Sequence, residues 1–166
     1  MTKKKRATGF FTAALNGNAS RIRQLLDDGV NIEKKDDLDQ TALMQASMNG
    51  HLECVQLLLD RGADVNSVSS YGSSAIAYAS ANDEVDVLKH LLDHGANPNL
   101  RSCFGRTPLI LACLFSNAAC VALLLERAAD VTLSDDHGRT ASDHCTSDAI
   151  RKMLTDVVSE TDYVLK

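Results

Sequence analysis

The sequence predicts an all-α solenoid of stacked helix-turn-helix units joined by extended hairpin loops, and three observations carry the prediction. The phrase "RGADVN", ending at Asn66, returns as "HGANPN" ending at Asn99 and as "RAADVT" ending at Thr132, each time 33 residues on. Four columns keep that register: Thr8, Thr41, Ser74, Thr107 and Thr140; Ala13, Ala46, Ala79, Ala112 and Cys145; Leu25, Leu58, Leu91 and Leu124; Gly29, Gly62, Gly95 and Ala128. A period of this size, held in independent columns, means an array of identical units, each burying its apolar face against the next. Aromatic residues are only 4% of a chain that is 45% hydrophobic and has no Trp. The core must therefore be Leu, Ile, Val and Ala, which suits closely packed helices better than a β-sandwich.

Each period reads as helix, tight turn, helix, extended loop. The Thr or Ser opens the first helix, its hydroxyl accepting from free backbone N–H groups. In the second repeat Leu43 and Ala46 share one face, and Gly50 ends the helix. The second helix carries Cys54, Val55, Leu58 and Leu59 on an apolar face, and Gly62 follows as a C-cap able to take positive φ. Ala128 replaces that glycine in the fourth repeat, a departure costing about 1 kcal/mol if the left-handed conformation is kept. The end repeats read as caps. Arg21 and Gln24 take the columns of apolar Cys54 and Leu57, and Ser142, Asp143 and His144 take those of Leu109, Ile110 and Leu111. The last repeat is also about four residues short of the period, predicting a truncated first helix. The chain thus divides into a basic tail over 1–6, the repeat array over 7–154 and a helical extension or frayed tail over 155–166.

Charge and cysteine content narrow the function. The net charge is -5, and the run Lys3, Lys4, Lys5, Arg6 holds 4 of the 17 basic residues, so the body sets 13 bases against 22 acids. Such a body argues against binding a phosphate backbone, which needs clustered Lys and Arg. Five Cys, an odd count without CxxC spacing, suit reduced thiols in a cytoplasmic or nuclear compartment. The start resembles a signal peptide, but Phe10 and Ala13 fall in phase with the repeats. The uncharged stretch 108–125 just reaches the length of a membrane span, yet Ser116 and Asn117 interrupt it where neighbouring repeats turn.

"QTALMQASMNGHLECVQLLLDRGADVN" and "GRTPLILA", with the 33-residue period, resemble the ankyrin repeat family over roughly Ala7 to Leu154. Three full repeats begin at Thr41, Ser74 and Thr107, flanked by an incomplete one at each end. The family's T-P-L-H pattern is met with departures. Pro stands only at Pro108, against Ala42, Ala75 and Ala141, and the His is replaced by Met44, Ala77, Ile110 and Asp143. Losing that His removes the inter-repeat hydrogen bonding it supplies and predicts modest stability. The resemblance also implies that "LLDRGADVN" is a segment of the kind in which ankyrin Asn residues are hydroxylated by a 2-oxoglutarate oxygenase. Leu58, Asp64, Val65 and Asn66 match, making Asn66 the candidate.

Little in the sequence suggests catalysis. Asp143, His144 and Cys145 have the residue types of a thiol site, but adjacent side chains diverge, and Cys145 sits in the small-residue core column. His90 and His94 stand at i, i+4 without a third metal ligand. Neither cofactor nor metal is expected. The resemblance implies instead a concave surface, built from the exposed face of each first helix and the loop tips, that grips a protein partner. The helix positions are Gln45, Met48 and Asn49; Tyr78, Ala81 and Asn82; Leu111, Leu114 and Phe115. The tips add Leu38 and Gln40, Tyr71 and Ser73, Phe104 and Arg106, and His137 and Arg139. Four of the seven aromatics map here, and aromatics and Arg are the usual anchors of interfaces. The residues chosen as partner-binding are Leu38, Gln40, Met48, Tyr71, Tyr78, Phe104, Arg106, Leu111, Leu114, Phe115 and Arg139.

The expected function is a monomeric, non-catalytic protein-interaction module. The alternative is an acidic regulatory or scaffold subunit, its Asp36, Asp37, Asp39, Asp135 and Asp136 docking electrostatically on a larger assembly, although such residues also serve as ordinary turn formers.

Overall fold

The computed structural model describes residues 3–164, with side chains over 9–156. Ten α-helices follow one another among the described residues: α1 Lys3–Leu15, α2 Ala19–Asp27, α3 Ala42–Met48, α4 Leu52–Asp60, α5 Ala75–Ala81, α6 Val85–Asp93, α7 Pro108–Leu114, α8 Ala118–Glu126, α9 Ala141–His144 and α10 Asp148–Val164. The odd-numbered helices stack on one another as an inner layer, and the even-numbered ones stack behind them.

The Ala column makes this possible. Ala46, Ala79 and Ala112 are wholly buried, so adjacent inner helices meet backbone to backbone. Behind them Leu25, Leu58, Leu91 and Leu124 are also fully buried, each contributing about 2 kcal/mol of burial. Cys145 continues the small column, 5% exposed. The register also fixes the turns. Gly29, Gly62, Gly95 and Ala128 all lie at positive φ, and Ala128 keeps the left-handed conformation at φ 59. The tight turn between paired helices does the same at Gly17, Gly50, Asp83 and Ser116, so the apolar stretch 108–125 breaks into α7 and α8 at Ser116. No described helix is long and apolar enough to cross a membrane.

Helix starts follow the expected chemistry at two repeats and depart at others. Thr41 Oγ1 accepts from Met44 N at 3.3 Å and Thr107 Oγ1 from Ile110 N at 3.2 Å. Ser74 makes no cap bond, and its hydroxyl is buried without a partner. At Thr140 the Asp143 carboxylate closes the end from the other side, accepting from the backbone N–H at 2.7 Å and the hydroxyl at 2.8 Å. The first repeat differs more. Its helix begins at Lys3, so position 8 lies inside α1 rather than at its start. The side chains of Thr8 and of the basic run Lys3 to Arg6 lie outside the described residues. In the last repeat α9 has only 4 residues, truncated as expected, while α10 continues as helix through 155–164.

Inter-repeat hydrogen bonds come from columns other than the missing His. Glu33, Asn66 and Asn99 each accept, through a side-chain oxygen, the backbone N–H of the next repeat: Asp64, Asn97 and Asp130, all at 2.8 Å. At the tight turns, Asn117 Nδ2 donates to the carbonyls of Ser80 and Ala81, and Asn82 Nδ2 to that of Met48. Arg61 pairs with Asp27 at 2.9 Å and Arg127 with Asp93 at 2.8 Å.

Candidate partner-binding surface

Stacking of the inner helices leaves one face of each uncovered, and backbone bonds align the loop tips beside it. Ser70 N donates to Leu38 O at 3.1 Å, Cys103 N to Tyr71 O at 2.8 Å and Asp136 N to Phe104 O at 2.9 Å. Leu38, Tyr71 and Phe104 therefore form a row, one per repeat, with side chains 45%, 54% and 59% exposed. On α7, Leu111 and Leu114 are half-buried, and Phe115 just beyond it is exposed. Met48 and Tyr78 are half-buried on α3 and α5.

Six large apolar side chains are exposed among the described residues: Leu15, Leu38, Val68, Tyr71, Phe104 and Phe115. Leu15 is absent from the sequence-based choice, although the register puts it in the column of Met48 and Leu114. Counting back 33 from Met48 would have found it.

The strip is uneven, and three of the chosen residues, Gln40, Tyr78 and Arg139, are engaged within the fold. Gln40 is buried. Its Nε2 donates to the Tyr78 hydroxyl at 2.8 Å, and its Oε1 accepts from Gln45 Nε2. It braces the second repeat against the third rather than standing free at a tip. Arg139 is exposed, but its Nε and Nη2 donate to Asp135 Oδ2 at 3.2 and 3.0 Å. Arg106 differs from all three. Its guanidinium lies 5.6 Å from the Phe104 ring centroid, and its buried Nε has no hydrogen-bond partner.

Phe104 itself is held at φ 64 in a single 3-10 turn, Cys103–Gly105. A bulky residue in the left-handed region stores about 1–2 kcal/mol of strain. Here that backbone carries a largely solvent-facing ring.

The acidic loops are mostly turn chemistry. Asp36 Oδ1 accepts from the backbone of Leu38 and Gln40, and Asp135 Oδ1 from that of His137 and Arg139. Asp135 is buried, so it presents no charge to a partner, and Asp136 pairs with Arg101 at 3.2 Å. Burial pushes the Asp135 carboxyl up, but hydrogen bonds from Arg139, His144 and His137 outweigh it and hold the group well below the usual carboxylate range.

Among the described residues the thiols and imidazoles form no catalytic pair; Cys103 is free and exposed, and His90 Nε2 is buried without a hydrogen-bond partner. His144 Nε2 meets Asp135 Oδ2 at 2.9 Å, while Cys145 Sγ donates to Ala141 O at 3.3 Å, so the two do not form a nucleophile–base pair. Burial raises the Cys54 thiol to about 11 and that of Cys120 to about 12, far from a reactive thiolate. The His90 and His94 rings lie 4.3 Å apart, and His94 Nδ1 donates to the His90 carbonyl. Burial, and then His94, lowers the pKa of His90. No cluster of three His, Cys, Asp or Glu with metal-binding geometry occurs among the described residues. Asn66 is exposed, with its amide in the loop ladder: Oδ1 accepts from Asn97 N, and Nδ2 donates to Gly95 O at 3.2 Å.

No curated protein matches the chain. The profile of the family described as Ankyrin repeats (3 copies) matches residues 10–102 and again 76–162. Those matches span the stacked helix pairs from α1 into α10, and the chain belongs to the ankyrin repeat family.

Proposed function

We propose that the chain is a non-catalytic adaptor that grips a protein partner along the row Leu38, Tyr71, Phe104 and the exposed face of α7. Ankyrin repeats are generally protein-interaction modules and typically non-catalytic. The observation that carries the reading is the clustering of exposed large apolar side chains. Leu15, Leu38, Tyr71, Phe104 and Phe115 lie on the inner-helix face or the tips beside it, and Val68 lies elsewhere in its loop. Contiguous exposed apolar surface is costly to keep in water and marks interaction sites. The mechanism is rigid presentation. Loop tips already tied by backbone bonds need little further ordering on binding, so modest contacts yield useful affinity.

Phe104→Ser with Phe115→Ser should abolish capture of a partner from lysate while leaving helicity by circular dichroism unchanged. An undiminished pull-down from a folded double variant would reject this choice of surface.

A further inference from the structure

The fourth repeat leaves a charge unmatched on the gripping face. Arg106 stands in the column of Gln40, Ser73 and Arg139. Gln40 finds Tyr78 and Gln45, and Arg139 finds Asp135. Two substitutions deny Arg106 either arrangement. Where the fifth repeat has Asp135, four residues before its Arg, the fourth has Ser102; where Gln40 meets Gln45 five residues on, Arg106 has Leu111, and the counterpart of Tyr78, 38 residues on, is His144, already bonded to Asp135. The carboxylates of the next tip are already held, Asp135 by Arg139 and His144, and Asp136 by Arg101. Arg106 thus makes no ion pair among the described residues, and its Nε is shielded from water with no acceptor.

A guanidinium with no counter-charge inside the fold keeps its outer N–H donors for an incoming carboxylate, which it holds through charge-assisted bonds. Beside Arg106 lies the exposed ring of Phe104, on its strained backbone, and α7 opens two residues further along the chain. Apolar cover over these would exclude water from the new pair and strengthen it. We propose that Arg106 receives a carboxylate of the partner, and that the partner segment is an Asp or Glu flanked by bulky apolar residues that cover Phe104 and Phe115. This rests on the groove reading above and adds the chemistry of what enters it. The body of the protein is acidic, so Arg106 is a local reversal of sign that selects against basic segments.

The test is selection of binders from a random linear-peptide display library on the full chain. Peptides that lose binding to the Phe104→Ser, Phe115→Ser variant should be enriched in Asp or Glu next to large apolar residues. Their affinity should fall about tenfold or more on Arg106→Gln. The same fall is expected on Ser102→Asp, which leaves Arg106 in place but supplies it with the internal partner that Arg139 already has. Thermal melts monitor folding, and Ser102→Asp decides the matter if Arg106→Gln does not fold. Groove-bound peptides without acidic enrichment, or indifferent to both variants, would overturn this inference and leave the groove reading intact. Basic peptides dependent on Asp37 and Asp39 would overturn it too. Selection of nothing sensitive to the Phe pair would overturn both.

Discussion

The fourth and fifth repeats occupy the same columns with opposite chemistry. In the fifth, the position four residues before the tip arginine is Asp135, and the inner-helix position is His144. Carboxylate, imidazole and guanidinium close on one another within 3.2 Å. In the fourth, those positions are Ser102 and Leu111, so the arginine is left unpaired and the helix face is apolar. Both repeats obey the same backbone plan, with Thr107 and Thr140 at equivalent helix starts. A solenoid thus separates architecture from function. The buried columns are held in register, and the surface columns change a repeat from one whose tip arginine is paired to one with an unpaired arginine and an apolar helix face.

Four variants would break or sharpen that contrast. The largest effect is expected at the shared core. Leu124→Ala, which removes a fully buried side chain behind the fourth repeat, should cost about 3 kcal/mol in urea denaturation at any pH near neutral. Second is Asp135→Asn, which should lower the melting temperature and change its pH dependence. The folded Asp135 carboxyl titrates below its unfolded value of about 4, so its stabilisation is present above that pH and is lost as pH falls through the folded value. Melts between neutral and acidic pH should therefore be less acid-sensitive in the variant. An unchanged acid profile would show that the fifth-repeat clasp does not hold the cap.

Third is Ala128→Gly, at the end of α8. Relief of its left-handed backbone should raise stability by about 1 kcal/mol. A loss instead would mean that the alanine methyl packs usefully. Smallest is the stability change on Ser102→Asp, which should graft the fifth-repeat ion pair into the fourth. The gain expected is about 0.5 kcal/mol by denaturation, because such pairs are partly solvated. Its larger consequence is on binding, as set out above.

Sequence periodicity reached a long way into this fold and less far into its surface. Leu58, Ala46 and Gly62 could be placed because each recurs at a fixed interval and does one job: filling the core, allowing close approach or reversing the chain. Tyr71 and Phe104 could be placed at exposed tips for the same reason. Gln40 could not, because its buried state depends on a hydroxyl 38 residues away on the next inner helix. Arg139 reads from its column as a partner-binding residue, and its carboxylate partner Asp135 lies only four residues back, but turn residues commonly bond their own backbone, so nothing local signals the ion pair. The Asn66 ladder is another such case: its bonds cross to the following loop.

By itself, then, the order of residues determined the repeat, its helix pairs, the small and large core columns and the positive φ of the Gly29, Gly62, Gly95 and Ala128 column. Those follow from rules that act within one turn or between copies a constant distance apart. Which polar groups on the inner face are satisfied, and which wait for an acceptor, was decided only when neighbouring repeats came together. A hydrogen bond is a matter of ångströms, whether its partners lie 38 residues apart, as Gln40 and Tyr78 do, or four, as Arg139 and Asp135 do. Column membership brings Gln40, Arg106 and Arg139 to equivalent places, but only the folded surroundings settle that the first is held by Tyr78 of the next repeat, the last by Asp135 of its own loop, and the middle one is open.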